Sequence, residues 1–395
     1  MNKKSPNYAF VFTFAASISL VLVYLSQWST MILDPSMRTG TDFIAFYAAG
    51  RVAEQHDMSK AYNIDLQRQV EEKESNIELE ERHVLLYNHM PYLIPVLSAL
   101  VTENYTTSFI RWALLMLASH VLGCALLVFN LKRKPDEAFS HPLFWGAVLF
   151  FPFFQSVLLG QDSALLFLGV VLWFAGLKKN NDWLAAAGLA LCTVRPHICL
   201  ILAIPMLFQK RGVAWRAILT GGGLALVSVL LIGSNGTLDF LKILQISAGG
   251  TWFGMNEKDM LNLIGLVYRL FPALPAELIR ILGWVGFAAG MGASVWVWQK
   301  TNPSQASKLG LSILIALFLV PHLHYHDLTL LIVPLAFLKW GDERAAYLPL
   351  GISLFLLFLN PLYYVLPYIL FACLGWLLVH RSSWFESAMP PNPTG

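Results

Sequence analysis

Charge is what this sequence has least of. Only 13% of its 395 residues are Asp, Glu, Lys or Arg, and 56% are hydrophobic. Soluble domains carry about 25% charged residues, so this composition excludes an ordinary soluble protein and favours one built for lipid. The net charge of +3 is too small to indicate a nucleic-acid partner.

Cysteine is scarce too, and the common catalytic signatures are missing. The four cysteines lie inside apolar runs and give no support for a disulfide framework or a zinc site. The chain has no phosphate-binding loop, no dinucleotide-binding glycine motif, no zinc-protease motif and no serine-hydrolase elbow. A soluble nucleotide-sugar domain is also absent. If the protein is an enzyme, its substrates come from the bilayer and its outer face.

Apolar runs recur from one end of the chain to the other. A helix needs about 20 apolar residues to cross a bilayer. The runs therefore predict one all-α, polytopic membrane domain with about 12 segments, some of them short, broken or re-entrant. The first run follows Lys3 and Lys4 without a small-residue cleavage site, so we interpret it as a retained helix. The predicted segments are 8–29, 108–130, 142–158, 163–177, 183–194, 197–208, 214–233, 278–298, 309–322, 328–339, 345–359 and 363–379.

Basic residues fix a predicted orientation because they cluster in alternate connections, which cytoplasmic loops favour. Of the short connections between them, only one contains a basic residue, Arg195. We therefore expect a plasma-membrane protein with both termini and a tail, 380–395, in the cytoplasm. The clusters are Lys3/Lys4, Lys132/Arg133/Lys134, Lys178/Lys179, Lys210/Arg211/Arg216, Lys300/Lys308, Lys339/Arg344 and Arg381.

Two long connections then face outward. The first long connection, 30–107, is predicted to contain amphipathic helices. Its acidic stretch, 71–81, is predicted to be a solvated surface helix, and no function is assigned to it. The second long connection, 234–277, contains Trp252 and the charged triplet 257–259.

One stretch between two predicted cytoplasmic connections is too short to cross the membrane twice. Trp183–Phe208 has 26 residues between two basic connections, whereas two full spans need about 40. The segment must dip into the membrane and return, turning around Pro196, where a helix cannot continue. An arginine at such an apex is costly unless it is paired. Arg195 is therefore predicted to meet an anionic ligand or, alternatively, to form a structural ion pair with Asp162.

Three further polar clusters lie at the predicted outer ends of helices. Asp42 is surrounded by aromatic residues and is either a general base or a helix N-cap. Gln161 and Asp162 lie in a hairpin and either bind a ligand or cap the next helix. His322, His324 and His326 alternate before Asp327. We favour hydrogen-bonding histidines over a metal site there, because alternate positions fall on different faces of a helix.

Together these clusters resemble glycosyltransferase family 87 of the GT-C superfamily, whose members use polyprenol-phosphate sugars. Where family members commonly have lysine, this chain has Arg195. The matching residues are Asp42, Phe43, Phe46, Tyr47, Ala49, Gly50 and Arg51; Tyr87-Asn88-His89-Met90-Pro91-Tyr92; Gly160, Gln161, Leu165 and Leu166; Ala187, Gly188, Leu189 and Leu191 before Arg195-Pro196; and His326-Asp327-Leu328.

The resemblance implies an inverting transfer of a hexose, often mannose, from a polyprenol-phosphate donor to a lipid or glycan acceptor on the extracytoplasmic face. It implies no metal and no cofactor. Asp42 would be the general base, and Arg195 would bind the donor phosphate. The remaining donor-site residues would be Gln161, Asp162, His197, His324, His326 and Asp327, and the acceptor or aromatic lining would be Tyr47, Tyr87, His89 and Trp252.

A transporter or flippase is the main alternative, because broken helices with a buried charge also form transporter sites. Two observations oppose it. No repeat relates the two halves of the chain, and the polar clusters lie at outer helix ends rather than at mid-membrane. A non-catalytic scaffold would not need a carboxylate and a cation that converge on one face.

Overall fold

The structure is a computed structural model that describes residues 8–132, 139–250, 252–254, 257–300, 303–338, 347–358 and 364–380. Across these ranges the chain forms α-helices and short 3₁₀ turns, without a β-strand, as the composition predicts. Several predicted basic connections and nearly all of the predicted cytoplasmic tail lie outside the described residues. They contain Lys3, Lys4, Arg133, Lys134, Lys339, Arg344 and Arg381.

Each predicted apolar segment overlaps at least one described helix, and further helices form within the two long connections. The helices of the first half are α1 (Tyr8–Leu33), α2 (Pro35–Thr39), α3 (Phe43–Gln55), α4 (Ile64–Ser75), α5 (Ile94–Leu100), α6 (Tyr105–Lys132), α7 (Pro142–Val148), α8 (Phe151–Leu159) and α9 (Ser163–Lys178). Those of the second half are α10 (Asp182–Leu191), α11 (Pro196–Ala203), α12 (Met206–Gln209), α13 (Arg211–Ala248), α14 (Leu263–Leu270), α15 (Ala276–Gln299), α16 (Gln305–Leu319), α17 (Ile332–Ala336), α18 (Tyr347–Phe358) and α19 (Leu366–His380).

Five helical stretches in the described residues are long and apolar enough to cross a membrane, and the other apolar helices are shorter. Large apolar side chains remain exposed on these stretches, among them Leu22, Leu114 and Leu230. Exposed apolar surface of this extent indicates contact with lipid. The chain is thus a helical membrane protein. The five stretches are Val11–Leu33, Tyr105–Leu131, Pro142–Leu159, Arg211–Ala248 and Ala276–Gln299.

Helix α13 is divided by a kink at Gly233. Its membrane segment was predicted to end at 233, and there the backbone is non-helical (φ +64°, ψ −174°) before a second helical stretch runs to Ala248. This backbone conformation is essentially restricted to glycine, so the helix breaks at Gly233 and the chain changes direction there. Residues beyond the kink pack on the first long connection, where the Phe240 ring lies 4.9 Å from that of Tyr62. The second long connection therefore begins as a helix.

The first long connection forms a packed layer rather than a set of surface helices. Eleven of the thirteen residues of α3 are buried. In the acidic stretch, Glu78, Glu80 and Glu81 are exposed as predicted, but Glu71 is only 3% exposed. The solvated-helix interpretation is therefore wrong for Glu71, since the packing of α4 turns this side chain inward.

The short stretch around Arg195 forms a broken helix pair. Helix α10 ends at Leu191, a 3₁₀ turn follows, and α11 begins at Pro196. Proline suits the first position of a helix because its missing N–H has no partner there. The 10 residues of α10 span about 15 Å, half of the ~30 Å hydrocarbon layer. These lengths agree with a hairpin whose apex is Arg195.

The predicted orientation can be tested by cysteine labelling. In a Cys373→Ser background, which removes the exposed native thiol, Glu78→Cys should react with a membrane-impermeant maleimide in intact cells or spheroplasts. Lys179→Cys should react only after lysis. Both positions are exposed in the structure, so a difference in labelling reports the side of the membrane. The opposite pattern would overturn the orientation.

Candidate active site

A buried ion pair lies at the centre of the polar site. Asp162 follows α8 in a hairpin and is fully buried. Its Oδ1 lies 3.0 Å from Nη2 of Arg195, and its Oδ2 lies 2.9 Å from Nδ1 of His89. The side chain does not cap α9. Asp162 thus forms the ion pair that was one of the two interpretations of Arg195.

The hairpin that holds Asp162 depends on Gly160. This residue ends α8 with φ +76°, and a Cβ there would lie 2.4 Å from the Cβ of Phe43. Only glycine combines this conformation with so close an approach. The Gly160 carbonyl accepts a hydrogen bond from Nε1 of Trp112 at 2.8 Å. The hairpin is therefore fixed between α3 and α6.

Arg195 has a second carboxylate partner. Its Nε lies 3.4 Å from Oδ1 of Asp327, which also accepts a hydrogen bond from Ser163 Oγ at 3.0 Å. Asp327 is 1% exposed and belongs to the 3₁₀ turn Tyr325–Leu331. One guanidinium thus joins the hairpin after α8, the apex before α11 and this turn. Buried charges persist only where they are paired and hydrogen-bonded in this way.

Asp42 precedes α3, but its side chain makes no capping hydrogen bond. Its Oδ2 instead accepts a hydrogen bond from Nε2 of Gln161 at 2.7 Å. The Gln161 Oε1 accepts one from Nη2 of Arg195, also at 2.7 Å. Because an amide has one donating and one accepting end, these two bonds fix its orientation. Gln161 therefore connects the carboxylate of Asp42 to the buried cation.

Asp42 and Arg195 face a polar cavity of about 440 Å³, the first cavity. An adjoining second cavity of about 350 Å³ is mostly apolar, and both are lined by Asn88, Arg195 and His322. The first cavity is further lined by Asp42, Ala45, Phe46, Leu85, Leu86, His89, Leu159, Gln161, Gly254, Asp259, His324, Tyr325, His326 and Tyr364. The second is further lined by Met90, Val194, Pro196, His197, Leu200, Leu244, Ser247, Ala248, Gly250, Glu257, Met260, Ile264, Arg280, Trp284, Phe287 and Pro321.

The histidines are distributed along the two cavities. The ring centroids of His322 and His324 are 4.6 Å apart, and those of His324 and His326 are 5.9 Å apart. Within the described part of the chain, no three His, Cys, Asp or Glu side chains are placed to hold a metal ion. His197 lines the second cavity, and its buried Nε2 has no hydrogen-bond partner among the described residues. That nitrogen is a candidate ligand contact.

The four residues predicted to line an acceptor site do not lie together. His89 lines the first cavity. The lining does not include Tyr47, Tyr87 or Trp252. Tyr47 donates a hydrogen bond to the Thr102 carbonyl at 3.0 Å, away from the cavity. Tyr87 is fully buried, and Trp252 donates from Nε1 to the Val84 carbonyl at 2.8 Å. These three side chains therefore do not line either cavity.

The polar residues of the first cavity that were not predicted site residues include Asn88, Asp259 and Tyr364. Asn88 lies inside the quoted aromatic-proline motif, so its signal was present in the sequence. Asp259 belongs to the charged triplet 257–259, but no spacing shows which of those charges faces the cavity. Tyr364 donates a hydrogen bond to Oδ1 of Asp259 at 2.9 Å. It has no sequence signal, because its partner lies 105 residues away.

One comparison with known proteins finds a family match. The sequence model of glycosyltransferase family 87 matches residues 87–321, more than half of the chain. The matched range contains His89, Gln161, Asp162, Arg195 and His197. Asp42 and the turn that contains Asp327 lie outside it, and the fold joins them to the matched residues. No curated protein matches the chain significantly.

The ion pair predicts a specific loss of stability. Asp162→Asn should lower the apparent melting temperature strongly, because breaking a buried pair costs about 3–5 kcal/mol. Asp182→Asn is the matched control, since its pair with Arg216 is partly exposed (38% and 34%) and should contribute less than about 1 kcal/mol. The melting temperatures of the two variants are compared by thermal unfolding in the same detergent. Equal shifts would contradict the central role of Asp162.

Proposed function

The chain belongs to glycosyltransferase family 87, and we propose that it transfers a hexose from a polyprenol-phosphate donor to a lipid or glycan acceptor at the extracytoplasmic face. Family membership makes it a glycosyltransferase. The observation that carries the choice of donor is the pair of adjoining cavities, one polar and one apolar, that share Arg195. A lipid-linked sugar has the same order of parts: an apolar chain, an anionic phosphate and a polar sugar.

The second cavity supports binding of the prenyl chain. Its lining includes Leu200, Leu244, Ile264, Trp284 and Phe287. Burial of an apolar chain against such side chains is favourable in proportion to the area removed from water. The phosphate would then lie where the two cavities meet, and the sugar would lie in the first cavity.

The phosphate needs donors beyond the charge of Arg195, because Asp162 and Asp327 already offset that charge. Two imidazoles line the second cavity beside it, those of His197 and His322. The unpartnered Nε2 of His197 is a donor when it carries the proton. Fixed donors of this kind stabilise negative charge that develops on a leaving phosphate.

The hydrogen bonding of Asp42 supports its proposed role as the general base. Gln161 holds one of its carboxylate oxygens, and within the described residues the other accepts no hydrogen bond. In the proposed step the acceptor hydroxyl oxygen attacks the anomeric carbon opposite the phosphate, and its proton passes to Asp42. The bond from the anomeric carbon to the phosphate oxygen breaks, and its electron pair leaves with polyprenol phosphate. One displacement inverts the anomeric configuration.

The reaction is tested by incubating the purified protein with radiolabelled polyprenol-phosphate mannose and a lipid extract. Asp42→Asn should lower the rate about 10²- to 10⁴-fold, because asparagine keeps the hydrogen bond from Gln161 but cannot take the proton. Donor binding and melting temperature should remain unchanged.

Asp34→Asn is the matched control for Asp42. Asp34 also precedes a helix of the first long connection, but its side chain does cap that helix by accepting from the Ser36 N–H. Asparagine caps nearly as well, so this variant should keep wild-type turnover. Turnover of Asp42→Asn within about threefold of wild type would exclude Asp42 as the base.

Arg195→Lys tests the phosphate contact. Lysine keeps the charge that Asp162 and Asp327 require, but it lacks the planar guanidinium. Loss of one charged hydrogen bond costs about 1.5–3 kcal/mol, so the KM for the donor should rise roughly 10- to 100-fold. Arg216→Lys, at the partly exposed pair with Asp182, is the control. An unchanged donor KM together with a lower melting temperature would show that Arg195 is only a structural partner.

A further inference from the structure

Segment 84–90 forms one wall of the first cavity. It contributes Leu85, Leu86, Asn88 and His89 to the lining. It has no regular secondary structure, and its backbone is extended at Val84 (φ −68°, ψ 132°). Because His89 contacts Asp162, a shift of this segment would disturb the central ion pair as well as the cavity shape.

Two buried side chains of α4 bind the backbone of this segment. The Oε2 of Glu71 accepts a hydrogen bond from the Leu85 N–H at 3.1 Å. The Oε1 of Gln67 accepts one from the Tyr87 N–H at 3.1 Å, and its Nε2 donates to the Ala61 carbonyl at 2.7 Å. Gln67 is 0% exposed and Glu71 is 3% exposed. Neither side chain lines the cavity.

The spacing of the two acceptors matches the spacing of the two donors. Positions four apart on a helix are separated by about 6 Å along its axis. Alternate residues of an extended chain are about 6.6 Å apart. Gln67 and Glu71 therefore accept hydrogen bonds from the N–H groups of Tyr87 and Leu85, as the backbone of a neighbouring strand would. Buried N–H groups need such partners.

We propose that Glu71 and Gln67 are positioning residues for glycosyl transfer, which hold segment 84–90 on α4 and thereby place Asn88 and His89 in the first cavity. The second long connection fixes the opposite side of the segment. Trp252 donates from Nε1 to the Val84 carbonyl at 2.8 Å, and a Cβ on Gly254 would lie 2.4 Å from a methyl carbon of Leu85. The inference rests on the proposed function for the reaction that it supports.

The chemistry of Glu71 fits this role. Burial raises the pKa of Glu71 to about 8, although the Leu85 N–H lowers it in part. The carboxyl is thus mostly protonated at neutral pH, and glutamine is its closest mimic. In the described structure its Oε1 has no hydrogen-bond partner, so the contact with Leu85 is the one that the side chain provides.

The test compares Glu71→Met with Glu71→Gln. Methionine has a similar length but accepts no strong hydrogen bond, so Glu71→Met should lower kcat/KM by on the order of 10²-fold, the cost of misplacing a site by about 1 Å. Glu71→Gln should remain within about threefold of wild type, because its amide oxygen still accepts from Leu85.

Glu72→Met is the matched control. Glu72 is the next residue of α4, and its Oε1 also accepts a backbone hydrogen bond, from the Leu79 N–H at 3.0 Å. Leu79 does not line the cavity, so kcat/KM should stay within about threefold of wild type. All activity assays are made at a temperature well below the melting temperature of every variant. Wild-type kcat/KM in Glu71→Met would overturn the proposal, as would an equal loss in Glu72→Met.

Residue-resolved hydrogen exchange gives a second readout that needs no substrate. The Leu85 N–H should exchange slowly in wild type and in Glu72→Met, but rapidly in Glu71→Met. If Glu71→Met does not fold, Gln67→Met removes the other acceptor and should show the same loss of kcat/KM, with fast exchange at Tyr87. Unchanged exchange in the variants would overturn the proposal. Failure of the proposed function would look different: wild type would transfer no hexose, yet its exchange pattern would persist.

Discussion

The buried pair of Arg195 and Asp162 is the interaction on which the rest of the site depends. Its 3.0 Å contact lies in the protein interior, where an unpaired charge is very costly. The same guanidinium contacts Asp327, and the same carboxylate contacts His89. Four parts of the chain that are distant in sequence are thereby held at one point. Their convergence creates the polar wall of the first cavity.

This network also connects the two charged groups to which the proposed function assigns roles. Gln161 bridges Asp42 and Arg195, so the position of the carboxylate is tied to that of the cation. A polar and an apolar cavity meet at Arg195, which fits a lipid-linked substrate better than a free sugar. Family membership decides between an enzyme and the transporter alternative, because family 87 consists of glycosyltransferases.

The first long connection supports the cavity from behind. Helix α3 carries Asp42 at its start and packs through nearly all of its length. Helix α4 holds segment 84–90 through Gln67 and Glu71. The acidic stretch is therefore divided: its last residues are solvated, whereas Glu71 is part of the scaffold. Trp252 likewise contacts segment 84–90 at Val84 without lining the first cavity.

The sequence by itself determined the helical membrane class, the approximate position of the helices in the predicted apolar segments and the broken pair at Arg195, because these depend on local hydropathy, proline and run length. It also determined the family, which the comparison confirms. Only the tertiary structure decided which polar side chains meet. Asp42 and Gln161 are 119 residues apart, and their contact depends on how α3 and the hairpin after α8 are rotated and packed. The continuation of α13 past Gly233 and the burial of Glu71 were decided in the same way, because local periodicity carries no information about which helix face meets which neighbour.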